Sequence, residues 1–150
     1  MNLLSRRSLL AIAAVVDVAI HARPDPVAAK LLADRHHLPP RHLETVLQAL
    51  VRAGILKGVR GPRGGYELAT ERRRISAGDI VRAAMTIVDD EQGPPTPESQ
   101  LVEKVIEPEV KVASNAFLAH LDSISVEDLC RQAGKSGLNP NALESTDFSI

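Results

Sequence analysis

The sequence contains a single cysteine, Cys130, in 150 residues. That excludes an intrachain disulfide, and it excludes any zinc or iron–sulfur site assembled from the cysteines of one chain. Aromatic residues make up only 2% and tryptophan is absent, so a core must be aliphatic, a composition that suits helices. No stretch approaches the roughly 18 uncharged apolar residues of a membrane-spanning helix, so no membrane partner is expected. The histidines His21, His36, His37, His42 and His120 include no pair at helical metal-ligand spacing with an acid. No metal site is expected, His36-His37 reads as polar turn residues, and an enzyme is the weakest of the functional readings.

Strong net charge is also missing, at −1 overall, but the sum hides a division. Residues 1–75 hold 13 Lys and Arg against 6 acids, or +7, whereas residues 76–150 hold 5 against 13, or −8. A basic half is the electrostatic footprint of a nucleic-acid binder, and an acidic half keeps the remainder off the polymer. With 44% apolar residues there is enough for one compact domain and an appendage.

Ser5-Arg6-Arg7-Ser8-Leu9-Leu10 followed by Ala11 to Val16 has the look of a twin-arginine export signal. Asp17 argues against it, because it puts a carboxylate inside the apolar stretch. Residues 4–22 instead read as a helix buried on most sides, and a reducing cytoplasm is the expected compartment. Arg6 and Arg7 lie at its start, where a helix N-terminus favours anions; they are phosphate contacts or solvated surface. Asp25-Pro26 predicts the start of a short helix over 27–35, with Val27, Ala28, Leu31 and Leu32 inward. After a break at His36 to Pro39, Pro40 opens a second helix that runs to Ala53 with Gly54 just past its end. Two helices joined this closely make a helix-turn-helix.

At 100° per residue, Arg41, Thr45, Gln48 and Arg52 fall within about 60° of arc, opposite Leu43, Val46, Leu47 and Leu50. One face packs and the other presents side chains that read base edges or hold phosphates. His42 and Glu44 flank that line near its N-terminal end, and Glu44 can accept from a cytosine amine. Next comes Val59-Arg60-Gly61-Pro62-Arg63-Gly64-Gly65-Tyr66, a hairpin tip rich in glycine and arginine. Strands over 55–60 and 66–69 would flank it, making a wing whose Arg60 and Arg63 meet phosphates or a narrow minor groove. Gly61, Gly64 and Gly65 permit positive φ and close backbone approach. The Tyr66 ring packs under the wing or its hydroxyl touches the nucleic-acid backbone. Arg72 to Arg74 reads mainly as a solvated basic face.

Ser76-Ala77-Gly78-Asp79 resembles a capping box that opens a short helix. Residues 89–99, with three prolines and several acids, read as a linker. Ile106, Val110, Ala113, Phe117 and Leu121 then form an apolar seam at spacings of 4, 3, 4 and 4. Pro108 either kinks this helix or marks where its continuous part begins. The seam suits a second copy of the chain, with packing on the first helix as the intramolecular alternative. Ser125 caps a last helix to about Ala133, Cys130 reads as a small buried hydrophobe, and residues 134–150 as a flexible tail. The expected class is therefore mainly α with a small β-hairpin. A winged helix-turn-helix DNA-binding domain occupies 1–88, and the dimerisation helix with a short C-terminal helix occupies 100–133.

The order of these parts, with Arg60-Gly61-Pro62-Arg63-Gly64-Gly65-Tyr66 and Ile75-Ser76-Ala77-Gly78-Asp79-Ile80-Val81, resembles the Rrf-two (Rrf2) family of bacterial winged-helix regulators, which includes IscR, NsrR and CymR. That resemblance implies a homodimeric transcription factor on double-stranded DNA, usually a repressor, with Pro40, Arg41, His42, Glu44 and Thr45 in the base-reading segment and Arg60 to Gly65 in a minor-groove wing. Many members hold an iron–sulfur cluster on three cysteines. Residues 86–125 here contain none, and Ser8 cannot replace a carboxylate or imidazole ligand. A member without a cluster is expected, its input a protein partner, a small molecule or nothing directly. The competing reading is a winged helix that binds an acidic protein rather than DNA.

Overall fold

Ser5 starts the first helix: its hydroxyl accepts the Ser8 N–H at 3.1 Å, so α1 runs Arg6–His21. The computed structural model describes residues 3–88 and 94–138. After α1 come α2 (Ala29–Arg35), α3 (Pro40–Arg52), the strands β1 (Leu56–Val59) and β2 (Gly65–Leu68), a 3₁₀ turn (Arg72–Arg74) and α4 (Ala77–Met85). A wide π turn (Val102–Ile106) leads into α5 (Glu107–Asp122), and α6 is Val126–Lys135. This is a mainly helical fold with one antiparallel two-stranded hairpin. Residues 89–93 of the expected linker and 139–150 of the expected tail lie outside the described residues.

The core is aliphatic, as the composition demands. Val15 and Val18 of α1 meet Leu32 of α2, Leu43, Val46, Leu47 and Leu50 of α3, and Ile80 of α4, all 0–1% exposed. Each such side chain contributes roughly 1.5–3 kcal/mol by leaving water. α6 returns to this same core, burying Val126 and Cys130. It is stapled there by symmetry of sequence: Ser76 and Ser125 form an isolated antiparallel bridge, with Ala77 N–H to Ile124 O and Val126 N–H to Ile75 O both at 2.8 Å. Each serine then caps its own helix in a reciprocal box, Ser76 with Asp79 and Ser125 with Asp128.

Two expectations fail at α2. Asp25-Pro26 does not open it; the helix begins at Ala29 with no side-chain cap. The reason is non-local. Val27 exchanges both backbone hydrogen bonds with Tyr66, at 2.9 and 2.8 Å, and so extends the hairpin instead of entering a helix. The later start turns Leu31 outward, at 51% exposed, while Leu32 and Ala33 face the core.

The helix ends follow local rules. At α3, Gly54 has φ +76°, and the N–H groups of Gly54 and Ile55 donate to Val51 and Leu50 at 3.0 Å, the left-handed closing turn for which glycine is favoured. α2 closes in the same way with His37 in the left-handed position, φ +53°, and Leu38 N–H on Ala33 O at 3.0 Å. Pro108 stands in the first turn of α5, just after the π turn, in which the Glu107 N–H reaches back to Val102 O. No residue of α5 is buried. The helix meets α4 near its end, where Arg82 grips Asp122 with Nη1–Oδ1 2.5 Å and Nη2–Oδ2 2.9 Å.

Candidate nucleic-acid interface

The face of α3 opposite its buried leucines is exposed throughout, and it carries Pro40, Arg41, His42, Glu44, Thr45, Gln48 and Arg52. No side chain caps the start of this helix, and its first turn holds no acid. Its positive end is thus left uncompensated by its own residues. A groove of about 870 Å³ brings Arg6 and Arg7 of α1 together with His42 and Thr45 of α3, across a floor that includes Leu10, Leu38 and Val46. Arg6 is exposed and Arg7 half-buried. The sequence treats these arginines and the α3 line as separate features, and the fold joins them.

β1 pairs with β2 in the register Leu56↔Leu68, Lys57↔Glu67, Gly58↔Tyr66 and Val59↔Gly65. Lys57 and Glu67 form a cross-strand ion pair at 3.0 Å. The tip is a tight turn closed by Gly64 N–H on Gly61 O at 2.9 Å, and it leaves Arg60, Gly61, Pro62 and Arg63 exposed. Gly64 and Gly65 are needed inside the molecule: a Cβ on Gly64 would collide with Val59 O, and one on Gly65 with the Val27 carbonyl. Gly61, φ +115°, faces open space. Tyr66 is half-buried with its ring against the core.

Beyond the hairpin, Arg73 and Arg74 lean on Glu71, at 2.7 and 3.9 Å. The hydrogen bond from Arg73 and the charges of both arginines hold the Glu71 carboxyl below the usual range. Part of the basic charge of this run is therefore spent locally.

The sequence shows Asp17 only as a carboxylate that argues against an export signal, and it gives Asp17 neither a partner nor a role. It is 7% exposed on α1, and its carboxylate is held by Arg35, Nε–Oδ2 2.9 Å and Nη2–Oδ1 2.5 Å, and by His36 Nε2 at 2.9 Å. The available signal was a lone acid inside an otherwise apolar helix.

The donor set bears on the cluster that the resemblance raises. Cys130 is buried on α6, and burial pushes its thiol up, with Arg72 opposing only in part. Ser8 is buried and bonded to Ser5 at 3.0 Å. Among the described residues, no three of His, Cys, Asp and Glu gather as a metal site; one buried thiol and a neutral hydroxyl are a donor set that does not fit a cluster held on three cysteines. Among the same residues no helix is long and apolar enough to cross a membrane.

In the apolar seam, Ile106, Val110 and Ala113 are exposed, and Phe117 and Leu121 half-buried. Leu101, Val105 and Val112 add further exposed apolar surface, at 61, 54 and 66%.

Known proteins share this arrangement. The structure of T. potens IscR is similar over 89% of each chain, with 32% identity and a TM-score of 0.66. That of CymR, the global cysteine regulator of B. subtilis, is similar over 88% of this chain and 98% of the other, with 25% identity and a TM-score of 0.64. The HTH-type transcriptional regulator IscR of Vibrio atlanticus is 34% identical over 86 residues, 57% of this chain and 50% of that protein. The chain spans about half the length of the curated relatives it matches. A family model described as Rrf2, iron-dependent transcriptional regulator, matches residues 4–132. With that match over most of its length, the chain belongs to the Rrf2 family of winged-helix transcriptional regulators.

Proposed function

We propose that the chain is a homodimeric, sequence-specific DNA-binding repressor of the cytoplasm that acts without an iron–sulfur cluster. One observation carries this reading: the exposed line Arg41, Thr45, Gln48 on α3, backed by fully buried leucines and continuous through the groove with Arg6 and Arg7. Buried leucines fix the helix while its polar face stays open, the arrangement a major-groove reader needs. Arg60 and Arg63, on the exposed tip, supply charge to phosphates or the minor groove beside it. Arg41, His42 and Glu44 then read bases; Arg6, Arg7 and the tip hold the backbone.

The homodimer rests on α5, where Val110, Val112 and Ala113 stand in water in a single chain and Phe117 and Leu121 are half-buried. A second copy laid along the same helix covers them, and two recognition helices related by a dyad read a palindromic operator. The absence of a cluster rests on the single cysteine and its place in the core. The input is then a protein partner, a small molecule or nothing directly.

Binding to promoter fragments at several salt concentrations tests the reading. Each Lys or Arg that neutralises a phosphate contributes about 0.9 to the slope of log affinity against log salt. Arg41→Ala and Arg63→Ala should both weaken binding, and Arg41→Ala alone should relax base preference, a change of about 1–3 kcal/mol per lost base contact. A flat salt dependence, with no preference over random DNA, would overturn it.

A further inference from the structure

The most unusual polar group in the described structure is the Asp17 carboxylate. It is buried on α1, at the edge of the face that carries Ala14 and Val18, and its partners Arg35 and His36 are themselves partly open to solvent. Taking a carboxylate out of water is unfavourable unless its lone pairs are filled, and here they are filled from one direction, by the last residue of α2 and the first residue of the turn. Arg35 supplies a two-pronged contact, Nε–Oδ2 2.9 Å and Nη2–Oδ1 2.5 Å, and His36 Nε2 adds a third at 2.9 Å.

The residues after His36 turn this clamp into a constraint on α3. His37 stands in the left-handed region, φ +53°, Pro39 is extended with φ −62° and ψ 136°, and Pro40 is the first residue of α3. The chain between the clamp and the base-reading helix is therefore short, 37–39, and proline restricts it at Pro39 and at the Pro40 that opens α3. Hydrocarbon contacts such as Leu43 and Leu47 seat α3 in the core it shares with α1, but the hydrophobic effect that drives them is non-directional. A guanidinium–carboxylate fork is planar and directional. His36 also lines the groove shared by Arg6, Arg7, His42 and Thr45, so the clamp adjoins the reading face.

We infer that Asp17 is a positioning residue for DNA recognition: through Arg35 and His36 it sets the angle at which α3 is presented, and so governs discrimination between DNA sequences more than affinity for DNA as such. The inference rests on the proposed function. Of the residues proposed to hold phosphates, Arg60 and Arg63 sit on a separate hairpin and Arg6 and Arg7 at the start of α1, so none of them lies on α3, whose angle the clamp sets.

The test uses the full chain. The wild-type protein first selects a preferred fragment from a random pool, and dissociation constants are then measured for that fragment and for scrambled DNA of equal length. Asp17→Asn keeps the shape and removes the charge; Arg35→Lys keeps the charge and removes the fork. Each variant is scored per folded molecule, with the folded fraction taken from circular dichroism. The expected result is a fall of about tenfold or more in the ratio of specific to non-specific affinity, with binding to scrambled DNA and its salt slope unchanged. A purely structural role moves both affinities together and leaves the ratio alone, and that result in either folded variant overturns the inference. If Asp17→Asn does not fold, Arg35→Lys decides. A wild-type chain that selects no fragment overturns the DNA-binding reading and this inference with it; a selective wild type with unaltered ratios in the variants overturns this inference alone.

Discussion

Gly65→Ala and Gly58→Ala make the same chemical change on neighbouring strands and should act in opposite directions. A Cβ on Gly65 would lie 2.7 Å from Ala28 N and closer still to the Val27 carbonyl, inside the 3.0 Å that real Cβ atoms essentially never breach. The atoms in the way are backbone and cannot swing aside. Relief requires the Val27 segment to separate from β2, which breaks Val27 N–H to Tyr66 O and Tyr66 N–H to Val27 O, at 2.9 and 2.8 Å. Two backbone hydrogen bonds are worth about 0.5–1.5 kcal/mol each. Val27, now 3% exposed, would also lose part of its burial. Together these come to roughly 2–4 kcal/mol, or a fall of about 5–15 °C in Tm for a chain of this size. Gly58 has nothing within 4 Å of its absent Cβ. Alanine there restricts the unfolded chain at no steric cost, a gain of about 0.4–1 kcal/mol and a rise of a few degrees. Thermal unfolding followed by circular dichroism in the helical band reads both, given the mainly helical fold. Equal shifts, or an unchanged Gly65→Ala, would refute the claim that close approach to Val27 is what demands glycine at 65.

Two further predictions concern local geometry and charge. At His37, whose φ is +53°, stability should follow the order Gly, then His, then Val, since a β-branched residue in the left-handed region costs at least about 1 kcal/mol more than one that tolerates it; urea midpoints for the three variants check the order. Asp122 and Asp128 titrate below the usual carboxylate range, the first because Arg82 donates to it and the second because the Ser125 backbone and hydroxyl do. Depressed carboxylates contribute stability above the unfolded value near 3.8 and lose it as pH falls through their folded values. Asp122→Asn and Asp128→Asn should therefore flatten the loss of Tm below about pH 4, modestly at these exposed positions. A slope identical to wild type would contradict the assignment.

Much of the fold was legible because it is written locally. Ser76 with Asp79, Ser125 with Asp128, Pro40 at the start of α3 and Gly54 after its end each act within four residues, and each stands where the sequence placed it. Failure came where a distant partner competed. Asp25-Pro26 is a sound local start signal, yet Tyr66 claims both backbone groups of Val27 and α2 begins later. No window of sequence around residue 25 contains Tyr66. Pro108 offered two alternatives, a kink or a start, and α5 starts there, after a π turn wide enough for a proline ring that would otherwise strike the carbonyl four residues back.

The candidate site divides in the same way. The polar line of α3 follows from helical periodicity, and Leu43, Val46, Leu47 and Leu50 are buried opposite it. The wing glycines show where composition misleads. Glycine beside arginine invites the reading that all three exist to let a nucleic-acid backbone approach, but Gly64 accommodates Val59 and Gly65 accommodates Val27, both within the chain. The residues left to face a partner are Arg60, Gly61, Pro62 and Arg63. A Cβ at Gly61 meets nothing, so what alanine would disturb there is the φ of +115° and hence the shape of the turn. The hairpin thus separates into a base that must pack and a tip that must hold two guanidinium groups outward. Asp17 marks the limit of periodicity as a guide: it is buried at the edge of the inward face of a helix where the pattern calls for an apolar residue, and only Arg35 and His36, brought to it by the fold, explain why a charge is tolerated there.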